Sequence, residues 1–93
     1  MKWHIDPGHG WLEVKRAELE SLGIAHKISP YSYEKNDRVY LEEDCDASLF
    51  FELLFNHKEW YKVESYKKLT NEIPEQVYKE QCKIREYNCY RSV

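Results

Sequence analysis

The stretch YSYEKNDRVYLEEDCDASLFFELLFNH, residues 31–57, decides the fold, because its apolar spacing changes from a period of two to the period of a helix. Its first part reads as two arms of a β-hairpin about Lys35-Asn36-Asp37, since Asn and Asp tolerate the left-handed backbone of such loops. A three-residue loop is the favoured register. It pairs Glu34 with Arg38, Tyr33 with Val39 and Tyr31 with Leu41, whereas a two-residue loop sets Tyr33 against Tyr40 and Glu34 against Val39. From Ala47 to His57 the spacing is helical, with Asp46 or Asp44 as N-cap and acidic charge at the positive end of the helix. Leu49, Phe50, Leu53 and Leu54 then make one stripe toward a sheet. Phe51 and Phe55 lie on the adjoining flank, an apolar surplus that needs covering by the C-terminal third or by another chain.

Working outward, Lys2-Trp3-His4-Ile5 reads as a strand that Asp6-Pro7-Gly8-His9 ends, and Trp11-Leu12-Glu13-Val14 resumes extended structure. A helix is expected from Lys15, stopped by Gly23 in the left-handed conformation. Leu19 and Ile24 would then form the apolar pair of a Schellman stop. Beyond Trp60, Tyr61-Lys62-Val63-Glu64 alternates like an edge strand, and Pro74 suits the first turn of a short helix over Glu75 to Cys82. The fold class is α+β, with a small antiparallel sheet and two or three helices packed on one face. A length of 93 residues supports one core, and no repeat or linker divides it, so residues 1–93 read as a single domain.

A net charge of -3 has the wrong sign for a dedicated DNA binder and is too mild for a polyanion mimic. The acids concentrate before residue 58 and the bases after it. The basic half interleaves Trp60, Tyr61, Tyr66, Tyr78, Tyr87 and Tyr90 with lysines and arginines but holds no recognition motif, so nucleic acid is not the expected partner. No apolar run reaches the length of a signal peptide or membrane span. Cys45, Cys82 and Cys89 form neither an even set nor a C-x-x-C pair, which suits free thiols in a cytoplasmic setting.

Two clusters carry polar chemistry. One is the turn around His9, which stands between glycines and precedes Trp11; the other is Glu42-Glu43-Asp44-Cys45-Asp46. Carboxylates crowded on one face repel, so a neutralising partner is expected, and the two clusters are most economically one site. His9, Trp11, Glu42, Glu43, Asp44 and Asp46, with Phe51 and Phe55, are therefore the candidate binding residues. A metal would draw on His4, His9, Asp44 and Asp46, with Cys45 as a further ligand, but H-E-x-x-H, paired C-x-x-C and a calcium loop are all lacking. The structural alternative has Asp44 and Asp46 capping a helix while Glu42 and Glu43 face solvent. A cysteine nucleophile at Cys45 with His9 as base is disfavoured, because the anionic surround opposes thiolate; Cys45 reads more simply as a small buried residue. No catalytic set is complete, the chain leans away from being an enzyme, and no cofactor is expected.

Gly8-His9-Gly10-Trp11-Leu12-Glu13-Val14, Leu19-x-x-Leu22-Gly23-Ile24, Tyr31-Ser32-Tyr33 and Tyr40-Leu41-Glu42-Glu43-Asp44-Cys45-Asp46 together resemble small uncharacterised proteins encoded by phages, prophages and conjugative plasmids. The resemblance spans about residues 3–55 and brings no catalytic assignment. What it implies is a mobile-element setting, in which small acidic proteins that bind and block host defence machinery are common. The expected function is a non-catalytic protein-binding module whose partner is a host or element-encoded protein, with a homodimer as a further arrangement. The alternative is a small metal-assisted hydrolase centred on His9 and the run Glu42 to Asp46.

Overall fold

The computed structural model describes residues 1–91. Strand β1 (Lys2–Ile5) turns at Asp6 into β2 (Gly10–Lys15), and the two pair antiparallel with Trp3 opposite Leu12 and His4 opposite Trp11. On its other edge β2 meets β4 (Arg38–Glu42), and β3 (Tyr33–Lys35) lies outside β4. Two short late strands complete the sheet: β5 (Glu75–Val77) runs parallel to β1, and β6 (Asn88–Cys89) lines β3. The order β5-β1-β2-β4-β3-β6 makes a six-stranded mixed sheet, and with helices α1 (Arg16–Ser21), α2 (Asp46–Phe55) and α3 (Glu64–Glu72) the class is α+β. The sheet is thus larger than expected and not purely antiparallel. Pro74, which lacks an N–H, does not open a helix; its carbonyl accepts the Trp3 N–H at 2.9 Å and it leads into the edge strand β5. Tyr61 to Glu64 is not a strand either, since a 3-10 turn (Trp60–Lys62) leads directly into α3.

Both faces of the sheet are covered, which corrects the hairpin register. Leu12 and Val14 of β2 and Val39 and Leu41 of β4 share one buried cluster with Leu19 of α1 and Ala47, Phe50 and Phe51 of α2. The alternate residues Trp11 and Tyr40 belong to a second cluster with Cys82 and Ile84, flanked by Tyr33, Tyr78 and Tyr87. Residues 78–87 therefore lie as a strap across the second face. Tyr33 stands opposite Tyr40, and Glu34 opposite Val39, across a two-residue loop in which Asn36 takes φ 57°. The three-residue register presumed one buried face. With two, the tyrosines have an apolar layer of their own, and Glu34 is satisfied by the Arg16 guanidinium at 2.9 Å and the Arg91 N–H at 2.6 Å.

Gly23, at φ 71°, ends α1 in the Schellman pattern: its N–H reaches Glu20 and the Ile24 N–H reaches Leu19, both at 3.0 Å. The buried stripe of α2 is rotated from the expected one. Ala47, Phe50 and Phe51 are inside, whereas Leu53 and Leu54 are each 37% exposed. Phe51 and Phe55 are covered by the chain itself, with Trp60 and Tyr66 at ring distances of 5.2 and 5.1 Å from Phe51 and Trp3 at 6.3 Å. Phe51 is a core residue, and Phe55, half-buried, packs on it and on Tyr66, so the chain itself takes up the surplus that made them binding candidates. No helix among the described residues is long and apolar enough to cross a membrane. The rotated stripe separates two substitutions in urea denaturation: Phe51→Ala is expected to cost about 3–5 kcal/mol, and Leu54→Ala no more than about 1 kcal/mol. The reverse ranking would show the helix turned the other way.

Candidate functional site

The turn after β1 is built on a buried carboxylate. Asp6 accepts the backbone N–H groups of Gly8 and His9 at 2.9 and 2.8 Å, closing the turn locally. It also accepts the Cys82 N–H at 3.0 Å and two guanidinium N–H groups of Arg85 at 3.1 and 3.2 Å. Its side chain is wholly buried. Burial opposes the ionised form, but Arg85 and the three backbone donors outweigh it and hold the carboxyl well below the usual carboxylate range. The same contact raises the basicity of Arg85.

Beside this latch lies a polar chain on the sheet's second face. His4 Nε2 is 2.7 Å from Glu13 Oε1, and His4 Nδ1 is 2.7 Å from the Tyr78 hydroxyl. Arg38 donates to the other Glu13 oxygen at 3.2 Å. Tyr78 is pushed up to about 12 by burial and by its hydrogen bond to Cys82, so the phenol keeps its proton. When the imidazole is neutral, Nε2–H donates to Glu13 and Nδ1 accepts from Tyr78. Tyr40, packed edge-on against His4, is likewise pushed up to about 12 by burial and the nearby Glu13 charge. A cavity of about 570 Å³ adjoins this chain, lined by His4 and by Tyr78 to Ile84 of the strap.

The acidic run divides between construction and surface. Asp46 is the first residue of α2 and is buried, accepting the Ser29 N–H, the Ser29 hydroxyl at 2.6 Å and the Ser32 hydroxyl at 2.5 Å. It anchors the loop before β3 and does not cap its own helix. Capping of the preceding turn falls to Glu42, whose Oε2 accepts the N–H groups of Asp44 and Cys45 at 3.1 and 3.0 Å. Glu43 and Asp44 are exposed. Cys45 is exposed too, contrary to the buried role expected of it, while Cys82 is buried.

The structure brings much of the two clusters together. His9, Trp11, Glu42 and Asp44 line one cavity of about 470 Å³, with Tyr31, Tyr33, Arg85 and the thiols Cys45 and Cys89 on its other walls. Glu43 does not line it: its N–H bonds to the Gly10 carbonyl at 3.1 Å, and its carboxylate lies where a Cβ on Gly10 would come within 2.7 Å. Trp11 is 1% exposed, touched edge-on by His9 and Tyr33 and covered by the Arg85 guanidinium 5.2 Å from its ring centre. Its indole N–H finds no acceptor among the described residues, a deficit that costs about 1–3 kcal/mol in a buried donor. Tyr31, by contrast, is 76% exposed.

The metal candidates do not converge. Both ring nitrogens of His4 and both oxygens of Asp46 are taken by protein partners, and they sit apart from His9 and Asp44. Among the described residues no group of three or more His, Cys, Asp or Glu is placed to hold an ion. Sequence reasoning missed Tyr31, Tyr33, Arg85 and Cys89 as cavity residues. The pattern Tyr31-Ser32-Tyr33 held a signal for two of them, since a small polar residue between aromatics suits a buried hydroxyl flanked by outward rings. Arg85 and Cys89 reach the site only through tertiary folding. No family model, curated protein or solved structure matches this chain.

The Asp6 latch predicts a pH signature. At neutral pH Asp6→Asn should lower stability by about 3–5 kcal/mol, because it leaves Arg85 without its counter-charge. Since the folded-state carboxyl lies below the usual range, its stabilisation is complete above the unfolded value of about 3.9 and fades as pH falls through it. The gap between wild type and variant in urea denaturation should therefore narrow below about pH 4. A gap that stays constant into acid would show that the charge of Asp6 contributes nothing.

Proposed function

We propose that this protein is a non-catalytic binding module of a phage or plasmid, and that it engages a host or element-encoded protein at the cavity bounded by His9, Tyr31, Glu42 and Asp44. The observation that carries this reading is the meeting of four distant parts of the chain around one cavity of about 470 Å³: the His9 turn, the segment before β3, the acidic run and the C-terminal strap. Aromatic walls with a few placed polar groups are what a recognition site needs. The mobile-element setting comes from the resemblance of residues 3–55, and it makes host defence machinery the partner class to test first. A hydrolase centred on the same residues is supported less well, because Glu42 is committed to backbone N–H groups and Asp46 to two serines.

A photo-crosslinking residue placed at Tyr31 is expected to capture a discrete protein in a bacterial host, and Asp44→Lys should abolish the capture. The same probe at Glu20, exposed on α1, should capture nothing comparable. Equal capture at both positions, or none at Tyr31, would contradict the site. Expression should also raise the plating efficiency of a phage on a host that carries the relevant defence system, and Asp44→Lys should remove that effect. Unchanged plating across such hosts would contradict the defence-blocking role.

A further inference from the structure

We propose that the occupant of the cavity is a basic segment of the partner protein, with an arginine or lysine side chain seated between Tyr31 and the carboxylates of Glu42 and Asp44. This deepens the binding reading above and rests on it. The first observation is charge. Glu42 and Asp44 line the cavity, while Arg85, the one Lys or Arg among the described residues on its walls, is already matched by Asp6 at 3.1 and 3.2 Å. The concavity is left with unbalanced negative charge, which attracts a cation and focuses it between low-dielectric walls.

The second observation is aromatic surface. Tyr31 is 76% exposed, and Tyr33 and Trp11 continue the wall inward. Ring faces attract cations. The protein uses that contact nearby, placing Arg85 over Trp11 at 5.2 Å and Lys35 over Tyr87 at 4.9 Å. Tyr31 offers the same kind of face beside two carboxylates.

The third observation separates a peptide from a free amine. Trp11, buried on the cavity wall, carries an indole N–H with no acceptor among the described residues. A basic residue within a peptide brings both a cation and flanking carbonyl oxygens, so one segment can answer both demands. Reaching the indole asks the Arg85 side chain covering the ring to shift on its Asp6 contact.

The test uses the full chain and four defined probes: blocked peptides of five residues with a central arginine, lysine or citrulline, and spermidine. Chemical shifts of the Trp11 indole N–H and of the His9, Tyr31 and Asp44 amides report the site. The arginine and lysine peptides should give saturable shifts that weaken as salt rises, and citrulline should bind about tenfold more weakly. Asp44→Lys and Tyr31→Ala alter exposed positions, and each should weaken the arginine peptide while leaving the circular dichroism spectrum unchanged. Equal shifts with arginine and citrulline, or none with either, would overturn the basic occupant. Spermidine binding as well as the peptides would overturn the role of the carbonyl. Concentration-dependent shifts without any peptide would make a second copy the occupant, presenting the exposed Lys67 and Lys68 of α3, and would overturn a foreign segment. If the crosslink at Tyr31 persists while the peptides fail, the binding reading stands and only the basic occupant falls. Loss of both removes the binding reading as well.

Discussion

The carboxylate of Asp6 is the constraint on which the two ends of the chain depend. A fully buried charge is tolerated only when each of its oxygens is answered, and here the answers come from the adjacent turn and from residues more than seventy positions away. The local donors, Gly8 and His9, set the turn between β1 and β2. The remote ones, Cys82 and Arg85, draw the strap across the second face of the sheet. Arg85, bonded to Asp6, lies over Trp11, so the contact that closes the fold also finishes one wall of the cavity.

A second buried carboxylate does comparable work on the other side of the cavity. Asp46 holds Ser29 and Ser32, and Ser32 in turn receives the Glu42 N–H on its hydroxyl and the Tyr90 N–H on its carbonyl, each at 2.9 Å. Tyr31 and Tyr33 flank that serine, so fixing Ser32 fixes where the aromatic walls stand. Of the acidic run, Asp46 and Glu42 therefore build the site, while Asp44 is exposed on its wall. Two buried carboxylates thus tie together the segments that form an acidic, aromatic concavity, and preorganisation of this kind favours recognition.

How much of this was legible depended on sequence distance. The stop at Gly23, the turn at Asp6 to His9 and the existence of α2 rest on neighbours within a few residues, and pattern alone places them. His9 immediately precedes β2 and the acidic run begins at Glu42, the last residue of β4, which pairs with Trp11, so an expectation that they share a site needed only the sheet. What escaped was the strap over residues 78–87. Tyr78, Cys82, Ile84 and Tyr87 have no periodic pattern, yet they bury the second face, and that burial is what puts Tyr33 opposite Tyr40. Pro74 was misread for a related reason, since a parallel edge strand beside β1 is declared by a partner seventy residues away and by nothing local. The stripe of α2 turned because Trp60 and Tyr66 supply a cover for Phe51 that Leu53 and Leu54 lack.

Asp6 and Arg85 hold the strap against the sheet, and amide hydrogen exchange at Cys82 reads that hold, because its N–H bonds to the Asp6 carboxylate at 3.0 Å. In the wild-type protein the Cys82 amide should exchange slowly, and Arg85→Gln should speed it markedly while Leu12, in the centre of the sheet, stays protected. A Cys82 amide that exchanges as fast as an open loop in the wild type, or that is unaffected by Arg85→Gln, would contradict the account.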